Sequence, residues 1–283
     1  NQEEGIYSKL TGTFIIGQGM CAPTLMAYAS EDQKRHYLPK LASGEEIWCQ
    51  LFSEPQGGSD LAGLRTRAEK DGDQWVINGQ KIWTSGAHYS DYGILITRTD
   101  PEVAKHRGLT MFFLDMRSEG VEIRPIKQAN GDSGFNEVFF TDVRIPDSQR
   151  LGGVGDGWKV ALTTLMNERL AIGGGISTGF PEIKALAETL PLASGQAIDD
   201  PAVRSKLADW YAKSAGLKNT GARAMSALSK GEVPGPENRI GELVAGGMMQ
   251  DIAKFALDLQ GLGGLITDPE IARSQAQIQA MLM

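Results

Sequence analysis

Cysteine is scarce: the 283 residues contain two, Cys21 and Cys49. Two thiols cannot build a disulfide framework in a chain of this size, and a reducing cytoplasm is the natural setting. Histidine is almost as rare. His36, His88 and His106 stand at no metal-ligand spacing with either cysteine, so no metal is expected. Positive charge is in deficit, with 28 Lys and Arg against 35 Asp and Glu, a net charge of -7 and a pI near 5.1. That balance excludes general binding to nucleic acid or to an anionic membrane, while leaving room for a local basic patch. Long apolar runs are missing too. The most apolar early stretch, GTFIIGQGMCAPTLMAYA, is interrupted by glycines, Gln18 and Pro23 and has no basic leader. It reads as a core helix, not as a membrane span or signal peptide, and the protein is expected to be soluble. No internal repeat or low-complexity tract is present. The glycine clusters GGVGDG and IGGGISTG have neither the strand-to-helix setting of a dinucleotide fingerprint nor the Gly-Lys-Ser/Thr end of a phosphate loop.

What is present is 41% hydrophobic and 22% charged residues, enough for a large core and more than one unit. Periodicity changes twice along the chain. Residues 1–46 read as helical, with Tyr37, Leu38 and Leu41 at helical spacing before Gly44, in a domain expected to be incomplete. Residues 47–150 read as short strands forming an antiparallel barrel or sandwich, with Asp71-Gly72 and Asn78-Gly79 as turn pairs. Residues 151–283 return to a helical period, with long segments beginning near Trp158, Pro201 and Glu237, which is the pattern of a bundle. The fold class is therefore α+β and multidomain.

Two stretches carry chemistry. In LFSEPQGGSD, residues 51–60, Gly57 and Gly58 leave room for a close ligand, Ser53 and Ser59 offer hydroxyls, and Pro55 fixes the backbone; a solvated turn would use the same residues. In ALTTLMNERLAIGGG, Ala161, Leu165, Glu168 and Ile172 share one helix face, so Glu168 occupies a position that apolar residues otherwise fill. Its i±4 neighbours are Thr164 and Ile172, which cannot pair with it. A carboxylate so placed is expected to have a raised pKa, as a general base does, unless it turns outward or meets a partner from elsewhere.

The helical, β, helical order, with FSEPQGGSD opening the β region and KIWTSG following, closely resembles the acyl-CoA dehydrogenase family of flavoenzymes. The family's Thr/Ser-Glu-Pro-x-x-Gly-Ser-Asp segment falls on Ser53, Glu54, Pro55, Gly58, Ser59 and Asp60, and its Trp-x-Thr/Ser segment on Trp83 and Ser85. The resemblance implies FAD, with Ser53 and Ser85 as polar contacts, Trp83 packed on the isoalloxazine, and Gln50 and Phe52 as flanking contacts to the same ring. It implies that Gly58 and Ser59 let the pyrophosphate or the CoA arm run close to the main chain. NERLAI resembles the Glu-Arg-Leu segment of the branch that includes the isovaleryl-CoA and long-chain enzymes. There Glu168 would be the base and Arg169 would help hold the acyl-CoA; in most other members the base lies in a stretch that would follow Met283.

The implied reaction is α,β-dehydrogenation of an acyl-CoA to a trans-2-enoyl-CoA, with an electron-transfer flavoprotein as acceptor. LDLQGLGG resembles a Gln-x-x-Gly-Gly segment, in which Gln260, Gly263 and Gly264 would reach the FAD of a neighbouring subunit in a homodimer, a homotetramer or a mixed oligomer. One departure stands out: the usual Arg-x-x-Phe-Gly motif is replaced by PEIKALAETLPLASGQAIDDPAVRSK. Branches that diverge in this way include enzymes of bulky acyl chains and mixed complexes in which one subunit type binds flavin fully. A flavin oxidase or monooxygenase on the same scaffold, and a non-catalytic subunit, are the competing readings.

Overall fold

The computed structural model describes residues 12–173, 179–193, 195–232, 235, 238–268, 270–273 and 278–279. The chain divides into two compact units, Asn1–Ala171 and Ile172–Met283. The first begins with helices. A π-helical turn, Gly17–Cys21, leads into α1 (Ala22–Tyr28), whose first turn holds Pro23. Helix α2 (Glu31–Ser43) is fixed at both ends. Ser30 and Gln33 form a reciprocal capping box, and Gly44, at φ +78°, takes the left-handed conformation that stops the helix.

Eight strands follow: β1 (Trp48–Leu51), β2 (Arg67–Asp71), β3 (Gln74–Ser85), β4 (Tyr92–Arg98), β5 (Leu109–Asp115), β6 (Val121–Pro125), β7 (Phe135–Pro146) and β8 (Arg150–Leu151). They form one sheet in the order β6-β7-β3-β2-β4-β5-β8, with β1 beside β4. Strand parity decides which core each side chain enters. Ile94, Ile96, Leu109, Met111 and Phe113 join helix residues such as Leu25, Leu41, Val160 and Ala161. The alternate residues Leu95, Phe112 and Leu114 meet Trp75, Ile77, Val138 and Phe140 from across the sheet, so the sheet curls around its second core. Cys21 and Cys49 lie inside these cores, and burial pushes both thiols up, Cys49 to about 12.

Two sequence expectations for the sheet need correction. It is not wholly antiparallel: β1 runs parallel to β4, with Trp48 opposite Tyr92 and Leu51 opposite Leu95. The long connection between them supplies the crossover that parallel pairing requires. Asn78-Gly79 is not a turn. It lies inside β3 opposite a bulge in β7: Ile77 pairs with Val143 and Gly79 with Phe140, so Thr141 and Asp142 together face Asn78. The Asn78 side chain donates to Asp142 Oδ1 at 2.9 Å and accepts from the Asp142 N–H at 3.0 Å. Gly79 is required by space, since a Cβ there would lie 2.6 Å from Thr66 Cα.

Just after β7, Asp147 receives the Trp75 indole N–H at 2.6 Å and two bonds from Arg150. The Arg150 guanidinium, and then the Trp75 indole, hold the Asp147 carboxyl well below the usual carboxylate range. A depressed carboxylate contributes stability that is complete above its unfolded pKa, about 3.9, and is lost as pH falls through the folded value. Asp147→Asn is therefore expected to lose about 1–3 kcal/mol in urea unfolding at neutral pH. Its deficit should narrow once the pH drops below about 4.

The second unit contains α4 (Phe180–Thr189), a small hairpin of β9 (Pro191–Leu192) and β10 (Gly195–Gln196), α5 (Pro201–Ser229) and α6 (Asn238–Gln260). Ile183, Leu186, Val203, Leu207, Trp210, Met248, Ile252 and Ala256 form its core. No helix among the described residues is long and apolar enough to cross a membrane.

Candidate active site

Strand β1 ends at Leu51 and delivers Phe52 and Ser53 into a tight turn. Glu54 and Gly57 exchange backbone hydrogen bonds of 3.0 and 2.9 Å around Pro55-Gln56. The Glu54 carboxylate does not belong to the solvated part of this loop. It is buried, accepting the Arg65 N–H at 2.6 Å, the Thr66 N–H at 2.9 Å and the Lys81 ammonium at 2.9 Å. Lys81 is completely buried in β3 and also donates to the Phe52 carbonyl at 3.0 Å. Burial pushes the ammonium down to about 8, against the pull of Glu54. Burial opposes ionisation of Glu54 as well, but Lys81 and the two N–H donors outweigh it and lower the carboxyl. The Ile82 N–H then bonds the Ser53 carbonyl at 2.9 Å. The two sequence motifs are thus one structural unit, joined by a residue the sequence reading passed over. Strand parity carried the signal, because Lys81 continues the inward series Trp75, Ile77 in β3.

Immediately beyond, β3 slips register against β7 between Lys81 and Thr84. Within the slip Trp83 adopts φ +59°, a conformation that costs a non-glycine residue about 1–2 kcal/mol. The effect is to turn the indole outward: Trp83 is 56% exposed, with one edge-to-face neighbour, Phe135, at 6.1 Å. Ser85, half-buried, opens onto a cleft of about 590 Å³ that His88, Gln128, Asp132, Gly134 and Phe135 also line. Asn136, fully buried, donates to the Thr84 carbonyl at 2.9 Å and pins this edge.

Glu168 comes from α3 (Gly157–Gly173). Ala161 is buried and Leu165 packs against the same core, so the apolar stripe read from the sequence faces inward, and Glu168 on that stripe is half-buried. The helix is held by Thr164 Oγ1 against Thr24 Oγ1 at 2.8 Å and by Thr163 Oγ1 against the Tyr28 hydroxyl at 3.0 Å. Of the alternatives left open for Glu168, a partner from elsewhere is found: the Gln50 side-chain amide donates to its Oε2 over a long 3.5 Å. The partner comes from a strand 118 residues away, which helical spacing cannot show. Gln50 Oε1 is buried with no hydrogen-bond partner among the described residues. Arg169, next on the helix, is half-buried.

The structure therefore brings Gln50, Phe52, Ser53, Trp83, Ser85 and Glu168 into one unit, around β1 and β3. Gly58 and Ser59 stand exposed at the end of the same loop. Gln260, Gly263 and Gly264 belong to the second unit. There α6 ends at Gln260, the backbone turns left-handed at Gly261 (φ +55°), and a Cβ on Gly264 would lie 2.6 Å from the Leu257 carbonyl oxygen. Gln260 Oε1 is buried without a partner among the described residues.

Family models match almost end to end: acyl-CoA dehydrogenase N-terminal domain over residues 4–45, middle domain over 49–143 and C-terminal domain over 155–282. A solved structure, the ChsE4-ChsE5 complex from Mycobacterium tuberculosis, is 30% identical with a TM-score of 0.82, covering 93% of this chain and 69% of that one. The chain belongs to the acyl-CoA dehydrogenase family. Another solved structure, the Tcur3481-Tcur3483 steroid ACAD, is 32% identical with a TM-score of 0.82, covering 93% of this chain and 68% of that one. The acyl-CoA dehydrogenase IpdE1 of Mycobacterium tuberculosis is 38% identical over 260 residues, 88% of this chain and 64% of that protein. The chain spans 34%, 64% and 65% of the lengths of the first curated acyl-CoA dehydrogenases it matches.

The outward, strained Trp83, the cleft beside Ser85 and the unsatisfied Gln50 Oε1 fit the family's flavin: a flat ring for the indole to cover and polar ring edges for hydroxyl and amide groups to meet.

Proposed function

We propose that the protein is an FAD-dependent dehydrogenase that converts an acyl-CoA to its trans-2-enoyl-CoA, with Glu168 as the base. The carrying observation is that Glu168 reaches Gln50, on the strand that runs directly into Phe52 and Ser53. A base for the α-proton must face the group that receives the β-hydrogen across the thioester, and the contact of Glu168 on α3 with Gln50 on β1 supports that reading. FAD, when bound, supplies the hydride acceptor. Gln50, Phe52, Ser53, Trp83 and Ser85 hold and orient the ring, while Gly58 and Ser59 leave the main chain open to a pyrophosphate or the CoA arm. Glu168 takes the α-proton on a carboxylate oxygen, and the Gln50 amide steadies that carboxylate. Arg169 helps hold the thioester substrate.

Gln260, Gly263 and Gly264 serve the FAD of a neighbouring subunit in an oligomer, electrons pass to an electron-transfer flavoprotein, and the setting is cytoplasmic. Because one similar solved chain is named a steroid ACAD, the acyl group proposed first is a steroid side-chain thioester. A mixed oligomer is the second reading, favoured by a similar solved chain whose structure is named a ChsE4-ChsE5 complex.

Anaerobic titration of the FAD-loaded protein with straight-chain, branched and steroid acyl-CoAs tests these points together. The flavin absorbance is expected to bleach, most readily with the steroid thioester. A protein that stays colourless with added FAD overturns the proposal, and rapid reoxidation by air without an acceptor protein would turn it towards an oxidase.

A further inference from the structure

Lys81 lies wholly inside the first unit, where an ammonium is costly except as far as a counter-charge and hydrogen bonds offset its lost hydration. Its two partners are unequal in consequence. The bond to Glu54 supplies a counter-charge; the bond to the Phe52 carbonyl reaches the peptide that begins Ser53. No described peptide bond is cis, and in a trans peptide the C=O and N–H point in opposite directions. With the Phe52 oxygen turned inward onto Lys81, the Ser53 N–H is turned away from it, towards the side where the hydroxyl of Ser53 and the following residues form the loop. The charge pulls electron density along this peptide, which makes the Ser53 N–H a stronger donor. One residue after Lys81, Ile82 bonds the Ser53 carbonyl, and Trp83 follows, so the same anchor sets the position of both motifs.

We infer that Lys81 is a positioning residue that, through the Phe52–Ser53 peptide, makes the cradle bind reduced flavin more tightly than oxidised flavin. This rests on the proposed flavin site. Reduction adds negative charge to the ring, so a polarised donor favours the reduced form, whereas an anchor that only fixes shape favours both forms alike. The midpoint potential reads the ratio of the two affinities and separates these cases.

The test compares FAD-loaded wild type, Lys81→Met and the double variant Lys81→Met/Glu54→Gln, which leaves no unpaired buried charge if the single variant does not fold. The expected result is about a tenfold loss of preference for reduced flavin in the variants, a midpoint potential lower by about 30 mV for a two-electron couple. An unchanged potential with weakened binding of both forms overturns the inference and makes Lys81 a purely structural anchor. Loss of native circular dichroism in both variants overturns it in the same way. If wild type itself takes up no FAD, it is the underlying function that fails, and the two failures remain distinct.

Discussion

Glu168→Gln is expected to lower kcat by about a thousandfold, within the span that a positioned acid or base contributes, while flavin content and acyl-CoA binding stay close to wild type. The amide keeps the shape of the side chain and can still meet Gln50, but it cannot accept the α-proton. Rapid mixing of FAD-loaded variant with acyl-CoA separates the two steps: a fast binding perturbation of the flavin spectrum should persist, while bleaching slows. Bleaching at the wild-type rate would remove Glu168 as the base.

Gly157→Ala is the second large effect. Gly157 opens α3, the helix that carries Glu168, and an added Cβ would lie 2.6 Å from both the Leu109 carbonyl carbon and the Thr110 nitrogen. Those are backbone atoms of β5, a strand whose residues are buried from Leu109 through Leu114, so neither side can give way by rotating a side chain. Overpacking of this kind costs about 1–3 kcal/mol. The helix must also shift, so turnover should fall with stability. Gly216→Ala in α5 is the matched control. Nothing lies within 4 Å of a Cβ there, and relief of the glycine penalty should stabilise the helix by about 1 kcal/mol. Urea unfolding of the two variants, side by side with wild type, should move in opposite directions. A Gly157→Ala protein as stable and active as wild type would mean that α3 does not press on β5 as described.

What the sequence made legible is what local periodicity encodes. Helices starting near Trp158, Pro201 and Glu237 are found at Gly157, Pro201 and Asn238, because apolar spacing at helical period is a local signal. The stripe of Ala161, Leu165 and Glu168 was legible for the same reason. Features set by distant partners were not. Asn78-Gly79 has the composition of a hairpin turn, and only the β7 bulge at Asp142, 64 residues later, holds it inside a strand. The parallel pairing of β1 depends on β4, more than 40 residues on, and the partner of Glu168 comes from that same β1. The conformation of Trp83 arises from a register slip against β7, which no residue in KIWTSG announces. Lys81 is an intermediate case: parity placed it inward, but a lysine at an inward position looks like an error until Glu54 is found beneath it.

A crystal structure of the FAD-loaded protein with a non-oxidisable acyl-CoA analogue measures the one distance on which catalysis depends. A carboxylate oxygen of Glu168 within about 3.5 Å of the analogue's α-carbon, with Trp83 covering the ring, is the predicted result. An α-carbon out of reach of Glu168, with its carboxylate turned into water or another acid standing in its place, would contradict it.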